Sequence, residues 1–506
     1  METVASDRRK KPQSMNHFIN PEIFREYDIR GIAEQDLTSP VVEALGRGFA
    51  AFLKTKGITA VTIGYDARIS SSRLCNDIVR GLAESGINVT ILGLCPTPAL
   101  YYSLYHLNPG AGVMITGSHN PAEFNGFKLC VGKDTIYGEE IQKLRRIIEE
   151  IVENKQGTGA RSRKPSNVEK TEKGTVSRRL ILPEYIDYLK KQFSSNHGIR
   201  LKVVLDSGNG TAGLAAPQII RNMGCEVIEL YSEPDGRFPN HHPDPTIPKN
   251  LAALICTVCK EKADIGIAFD GDSDRIGVVD ASGNILWGDQ LMVIFSRDIL
   301  REQHGAVFVS EVKCSQVMYD DIRAHGGKAV MWKTGHSLIK SKMKEVHAVL
   351  AGEMSGHIFF ADRYFGYDDA IYAACRLVGI VQKLKSELGA DAPLSTLIAD
   401  LPKTFNTPEI RFDCPDTIKF KVVEKAKEIF LRGLDIPFKP REVITVDGIR
   451  AVFDKGWGLV RASNTQPVLV MRFEANDPGS LESIRIMMEQ QLQSIVADFM
   501  QKTTWR

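Results

Sequence analysis

Asp270, Asp272 and Asp274 alternate with Gly271 and Ser273 directly after the apolar run Ile265-Gly-Ile-Ala-Phe269. Carboxylates this close raise one another's pKa values, and a bound cation relieves the repulsion. Oxygen-only donors favour a hard ion, Mg²⁺, over zinc. The spacing also matches the start of an EF-hand loop, but Arg275 stands where that loop needs glycine and Ala281 where it needs a bidentate glutamate. An Mg²⁺ held by three carboxylates has open positions that phosphate oxygens or water fill. Ser118, in Thr116-Gly-Ser-His-Asn-Pro121 after the apolar run Ala111-Gly-Val-Met-Ile115, is a candidate phosphoryl carrier. A phosphoryl group there adds about −1.5 to −2 charges and offers an oxygen to the metal. The same metal would polarise phosphorus and stabilise the departing serine oxyanion.

Two further loops complement this pair. Arg461-Ala-Ser463-Asn464-Thr465 places a guanidinium, which grips phosphate bidentately, beside hydroxyls and an amide. Gly352-Glu353-Met-Ser355-Gly356 offers two carboxylate acceptors and a hydroxyl, a set that fits adjacent sugar hydroxyls. Taken singly, each is also an ordinary polar turn. Ser118 beside His119 suggests an acyl hydrolase, but the pattern is not the G-x-S-x-G elbow. Gly208-Asn-Gly210-Thr-Ala-Gly213 is a literal G-x-G-x-x-G after a strand-like run, with Glu226 and Glu229 at ribose-binding distance along the chain. It supports a rival nucleotide-binding reading, or a tight turn whose glycines allow close packing.

These loops need elements to hold them at strand ends. From Pro40 to Thr55 the periodicity predicts a helix, capped by Ser39, with Val41, Leu45, Phe49 and Phe52 on one face. Strand-like and helical runs then alternate through the chain, which argues for mixed α/β sheets, each with polar loops where strands end. After about residue 401, four strand-like segments precede a closing helix, a smaller α+β pattern. The expected layout is a basic tail at 1–17, α/β domains at 18–157, 180–285 and 286–400, a linker or insertion at 158–179, and an α+β domain at 401–506. Gly456 and Gly458 suggest a joint on which the last domain closes.

A chain of 506 residues exceeds one core. Hydrophobic residues at 43% and charged residues at 25% are ordinary for a globular protein, and a net charge of +2 supplies no field for nucleic acid or membrane. Arg8-Arg9-Lys10-Lys11 is too short a basic run to change that. There is no apolar leader and no run long enough to span a bilayer, so a reducing cytoplasm is expected. Cys256 and Cys259 lie in an apolar helical run without a second ligand pair and are expected to pack in the core. Nothing in the chain sets an oligomeric state; a monomer is favoured.

The four loops, in this order, make the chain resemble the α-D-phosphohexomutase family, in its bacterial phosphomannomutase/phosphoglucomutase group. Arg25-Glu-Tyr-Asp-Ile-Arg-Gly31, Phe124-Asn-Gly-Phe-Lys128, Lys333-Thr-Gly-His-Ser337 and Gly456-Trp-Gly-Leu-Val460 match as well. The resemblance runs from about Phe24 to the C-terminus; the tail and the 158–179 region depart from it. It implies three similar mixed-sheet α/β domains and a smaller α+β domain around a central cleft, each giving one loop. It implies a phosphoserine at Ser118, one Mg²⁺ on Asp270, Asp272 and Asp274 with Ser118, sugar contacts from Glu353 and Ser355, and a phosphate site of Arg461, Ser463, Asn464 and Thr465. Tyr27, Arg30, Lys128, Arg275, Lys313 and His336 match further cleft positions, and the glycine motif becomes a structural turn. The implied reaction shifts phosphate between O1 and O6 of a hexose through a 1,6-bisphosphate that also serves as activator. His119, Lys128 and His336 are the acid–base candidates. A clamp on the 3- and 4-hydroxyls would not read the 2-hydroxyl, so activity on both mannose and glucose is expected. A phosphoglucosamine mutase or a phosphosugar phosphatase using the same site are the alternatives.

Overall fold

The computed structural model describes residues 19–156, 172–194, 198–433, 436–463 and 467–503. Four sheets follow one another along the chain. The first has the order Ile29–Ile32, Phe124–Val131, Ala111–Ile115, Ala60–Tyr65, Asn88–Leu94, Val176–Arg178, with Asp134–Thr135 beside Phe124–Val131. Ala111–Ile115 is buried at all five positions, as expected of a parallel strand with helices on both faces. Helices Ser39–Lys54, Ser71–Glu84 and Glu139–Gln156 share one core with one face of this sheet. Thr97–His106 covers the other face, in a core that continues into the following two domains. Val41, Leu45, Phe49 and Phe52 are all buried, while Ser39 lies inside the first helix and Thr38 takes the N-cap position.

The second sheet has the order Ile285–Leu286, Ile276–Asp280, Ile265–Phe269, Lys202–Asp206, Glu226–Leu230, and the third Lys328–Trp332, Val307–Glu311, Leu350–Gly352, Ile358–Phe360. The fourth is antiparallel throughout: Phe405–Asn406, Val468–Ala475, Gly456–Ala462, Ile449–Phe453, Glu442–Ile444, with Ile410–Asp413 on Val468–Ala475. Helices Lys419–Arg432 and Pro478–Thr503 bury their apolar faces against it.

One local device recurs. Ala111–Ile115 is answered by antiparallel Phe124–Val131, Ile265–Phe269 by Ile276–Asp280, Leu350–Gly352 by Ile358–Phe360, and Gly456–Ala462 by Val468–Ala475. Each of the first three polar loops is therefore the turn of an antiparallel pair, anchored by backbone ladders on both sides, while Arg461 and Ala462 of the fourth lie on the strand Gly456–Ala462 itself.

Three expectations are corrected. Val176–Arg178 pairs in parallel with Val89–Ile91 and extends the first sheet, inside the region read as linker; its residues are exposed, so no apolar pattern marks it. Positions 158–171 of that linker and the tail at 1–17 lie outside the described residues. Cys256 and Cys259 are exposed, because helix Ala252–Glu261 turns Leu254 and Val258 inward instead. Gly456 and Gly458 sit within the fourth sheet rather than at a joint: a Cβ at Gly456 would come within 2.3 Å of the Glu474 carbonyl oxygen, and one at Gly458 within 2.2 Å of Met488 Sδ. The glycine motif is a packing turn, in which a Cβ on Gly213 would lie 1.9 Å from the Ser232 carbonyl oxygen and one on Gly210 2.7 Å from that of Gly271. Among the described residues no helix is long and apolar enough to cross a membrane.

Candidate active site

The turn after Ala111–Ile115 brings Ser118 to the turn after Ile265–Phe269. Ser118 is 3% exposed and has a left-handed backbone, φ 48°. Its Oγ donates to Asp270 Oδ2 at 2.7 Å, with His119 Nδ1 3.2 Å away. The two turns touch so closely that a Cβ on Gly271 would lie 2.6 Å from the Ser118 carbonyl oxygen, which only glycine permits.

Asp270, Asp272 and Asp274 are each 0% exposed, and one oxygen from each lies within 4.8 Å of the others. The main-chain N–H groups of Asp274 and Arg275 both donate to Asp270 Oδ1 at 3.1 Å. Lys128 donates to Oδ2 of Asp272, at 2.8 Å, and to Oδ2 of Asp274; Thr97 Oγ1 also donates to Asp272 Oδ2, at 2.6 Å. No described residue donates a hydrogen bond to Oδ1 of Asp272 or of Asp274. The unpartnered Asp272 Oδ1 and the Asp274 Oδ1 that meets only His357, both buried beside Asp270, fit a hard divalent cation. Burial, then the charges of Asp274 and Asp272, push the Asp270 carboxyl well above the usual range. Burial works against ionisation of Asp274 too, but Lys128 and His357 hold it well below that range. Burial opposes the charge on Lys128, yet the two carboxylates raise its pKa, so it stays protonated.

In the third loop, Glu353 accepts from the Gly335 N–H through Oε1 and from His357 Nδ1 through Oε2, both at 2.7 Å. Ser355 Oγ lies 3.2 Å from the same His357 Nδ1. His357 Nε2 is 3.4 Å from Asp274 Oδ1 and 3.3 Å from Arg275 Nε. Burial and Arg275 oppose protonation of His357, but Asp274 and Glu353 prevail and push it up to about 9. Its protonated ring therefore joins the aspartate loop to the Glu353 loop. His336 packs edge-on to Tyr27 and lies 5.7 Å from His357, ring centre to ring centre. Burial, followed by Lys340 and Lys128, holds His336 well below its ordinary pKa; burial, Arg275 and Arg30 do the same to His119. Both are neutral and keep a basic nitrogen.

The fourth loop approaches through Arg461, whose Nε donates to Asp447 Oδ2 at 2.8 Å; the same oxygen accepts from the Thr334 N–H at 3.1 Å. Tyr27 Oη donates to the Thr334 carbonyl at 2.8 Å, so the first, third and fourth domains meet at one residue. Lys313 lies 3.4 Å from Glu311 and 3.5 Å from Glu409. Ser463 is 7% exposed, and Arg30 pairs with Asp28. Asn464 and Thr465 lie outside the described residues.

Sequence reasoning missed His357, Glu311, Asp447, Thr97, Asp66 and Arg68. His357 directly follows the Glu353 loop, but its partners Asp274 and Arg275 lie some eighty residues earlier. Glu311 ends a strand and accepts from the Met354 N–H at 3.0 Å and from Thr334 Oγ1 at 2.5 Å. Asp66 and Arg68 also follow a strand, and two opposite charges at such a position were the signal that could have found them.

Comparison with known proteins agrees with this layout. Four family models match in succession: phosphoglucomutase/phosphomannomutase alpha/beta/alpha domain I at residues 21–155, domain II at 183–283, domain III at 287–405, and the C-terminal domain at 409–491. The chain is 42% identical to a phosphomannomutase/phosphoglucomutase of Pseudomonas syringae pv. tomato, over 96% of this chain and 98% of that protein. It is 41% identical to a phosphoglucomutase of Neisseria gonorrhoeae, over 92% of this chain and 96% of that one. A crystal structure of a phosphoglucomutase/phosphomannomutase family protein from Burkholderia thailandensis superposes with a TM-score of 0.82 at 35% identity, covering 94% of this chain and 98% of the other.

Proposed function

We propose a function from a plain premise: this chain belongs to the α-D-phosphohexomutase family, in its phosphomannomutase/phosphoglucomutase group. It is an intramolecular phosphotransferase that interconverts hexose 1-phosphates and hexose 6-phosphates. The observation that carries the mechanism is Ser118 Oγ held 2.7 Å from Asp270, beside the buried carboxylates of Asp272 and Asp274. Mg²⁺ on the three aspartates would supply charge neutralisation at the phosphoryl group.

In the forward direction the Ser118 O–P bond breaks as a bond forms between phosphorus and the sugar's free hydroxyl oxygen. Ser118 leaves as an oxyanion, and the hydroxyl loses its proton. His119, at 3.2 Å from Ser118 Oγ, is placed to exchange a proton with that oxygen. His336, whose ring centre is 5.7 Å from that of His357, would take the hydroxyl proton in this reading. Lys128 stays charged and serves as a fixed cation, not a base. The bisphosphate then turns over within the cleft and returns its other phosphoryl group to Ser118. Glu353 and Ser355 hold sugar hydroxyls in both orientations, while Arg461, Ser463, Asn464 and Thr465, with Lys313, hold the idle phosphate. Tyr27, Arg30 and Arg275 complete the wall. A trace of hexose 1,6-bisphosphate restores any enzyme that loses its phosphoryl group. We place the reaction in the cytoplasm, a compartment suited to a chain whose nine cysteines are all free.

The test uses the full chain with Mg²⁺, glucose 1-phosphate or mannose 1-phosphate, and trace bisphosphate. Isomer and free phosphate are followed, and the protein is weighed. The reading expects isomer without net phosphate release, a phosphoryl adduct on Ser118, and loss of both in S118A. Stoichiometric release of inorganic phosphate would make it a phosphatase instead.

A further inference from the structure

We propose that Arg68, anchored by Asp66, is the positioning residue that sets the conformation of the Ser118 turn; this rests on Ser118 being the phosphoryl carrier. Arg68 follows the strand Ala60–Tyr65, the parallel neighbour of Ala111–Ile115. Its side chain is 0% exposed. All five N–H groups of the guanidinium are used. Nη2 donates to the carbonyls of Ser118, at 2.8 Å, and Asn120, at 2.6 Å. Nη1 donates to those of Pro121, at 2.5 Å, and Phe124, at 2.8 Å. Nε donates to Asp66 Oδ2 at 3.2 Å.

Four carbonyls of one turn thus converge on one cation. Without it the buried Ser118 carbonyl would lose the Arg68 donor, the half-buried Asn120 and Phe124 carbonyls would lose it too, Pro121 would keep only the Phe124 N–H at 3.0 Å, and the turn would open. Asp66 fixes the other side of the same turn: its Oδ2 accepts from the Gly117 N–H at 3.2 Å, and its Oδ1 accepts from Ser71 Oγ at 2.6 Å. The clamp therefore holds both a donor just before Ser118 and the acceptor of Ser118 itself. A left-handed conformation at a non-glycine residue is unfavourable unless its surroundings hold it, and it is this conformation, φ 48°, that places Oγ on Asp270. Lysine cannot substitute, since its point charge lacks the planar fork needed to reach four carbonyls. The second domain closes the clamp, with the Phe238 ring 5.2 Å from the guanidinium carbon.

Arg68 reaches the reacting atoms only through the turn, so its loss should strike kcat and spare substrate binding, which other loops provide. Ser118 phosphorylation is first verified by mass in the wild-type chain. R68K is then compared with L82A, a core truncation in the same domain and outside the site. We expect R68K to keep KM within about threefold while kcat falls about 100-fold, the scale of a small misplacement at a reacting group. L82A should lose thermal stability with kcat unchanged. D66N, which keeps the arginine but loses its charged anchor, should fall about tenfold in kcat. In R68G, added guanidinium ion should restore kcat, and ammonium at equal ionic strength should not. R68K with wild-type kcat, or kcat losses in R68K and L82A that simply track stability, would overturn the clamp. Should R68K fail to fold, D66N with normal kcat or R68G without guanidinium rescue would overturn it equally. A wild-type chain that never carries phosphate on Ser118 would overturn the phosphoserine reading, and the clamp's function with it.

Discussion

Charge at the metal loop is balanced side chain by side chain. Lys128 and His357 flank the three buried carboxylates, and Glu353 shares His357 with Asp274. This balance makes stability depend on pH. An unfolded histidine titrates near 6.5, while His357 in the fold is pushed up to about 9. Its protonated form stabilises the fold fully below the unfolded pKa, and that contribution is lost as pH rises through the folded one. Metal-free protein should therefore melt at progressively lower temperature from about pH 7 to pH 10. H357Q should lose most of that slope, and superimposable slopes in the two proteins would refute the assignment. A second outcome concerns sugar choice. E353A should lower kcat/KM for glucose and mannose phosphates by a similar factor, the outcome expected of the proposed clamp on the 3- and 4-hydroxyls. If the intact enzyme favours one sugar by more than about a thousandfold, roughly 4 kcal/mol, the shared clamp is wrong.

That the Ser118, Asp270 and Glu353 loops are turns between antiparallel neighbours explains how short polar segments stay fixed without bulk of their own. The ladders on both sides set the ends of the turn, so the loop residues are free to be chosen for chemistry. Such turns tolerate little change where two of them touch. G271A would place a methyl 2.6 Å from the Ser118 carbonyl oxygen and must part the two loops. The expected result is a folded protein with weaker Mg²⁺ binding by calorimetry and a kcat lower by about 100-fold. Helix Ala252–Glu261 gives an independent check on which face is inward. V258A should cost about 1–3 kcal/mol, whereas C256S and C259S should be neutral. Maleimide should label Cys256 and Cys259 before the seven buried thiols. Helical spacing was legible in that segment, but the face was not, since apolar residues ring most of it.

Across the whole molecule the domains are tied by a few buried polar contacts. Tyr185 of the second domain donates to Asp369, at 2.9 Å to Oδ2, and helix Ala370–Leu388 packs into the core shared with the second sheet. Arg450 of the fourth domain, 0% exposed, donates to the carbonyls of Val312 at 2.6 Å and Cys314 at 2.7 Å, with Trp457 stacked 3.7 Å from its guanidinium. Because this contact docks the domain that carries Arg461, R450A should raise KM for glucose 1-phosphate about tenfold and cost about 3 kcal/mol, more than it lowers kcat. An unchanged KM would show that the phosphate loop is held elsewhere. Any closure of the fourth domain must hinge outside the sheet that contains Gly456 and Gly458, and free and substrate-bound scattering profiles measure whether it occurs.

The sequence by itself determined the alternation of elements, the class of each domain and the four chemistry-bearing loops. Those signals are local: apolar runs, glycine turns, and residue types whose chemistry is intrinsic. It also carried enough in those loops to mark the family. Only the tertiary structure decided which strand pairs with which, because strands such as Ile276–Asp280 are buried at every position and show no alternation. It alone brought Ser118 to Asp270, 152 residues further along the chain, and surrounded Lys128 with groups that raise its pKa while burial lowers those of His119 and His336. Protonation depends on burial and on charges from distant segments, and neither is written in any one stretch of chain.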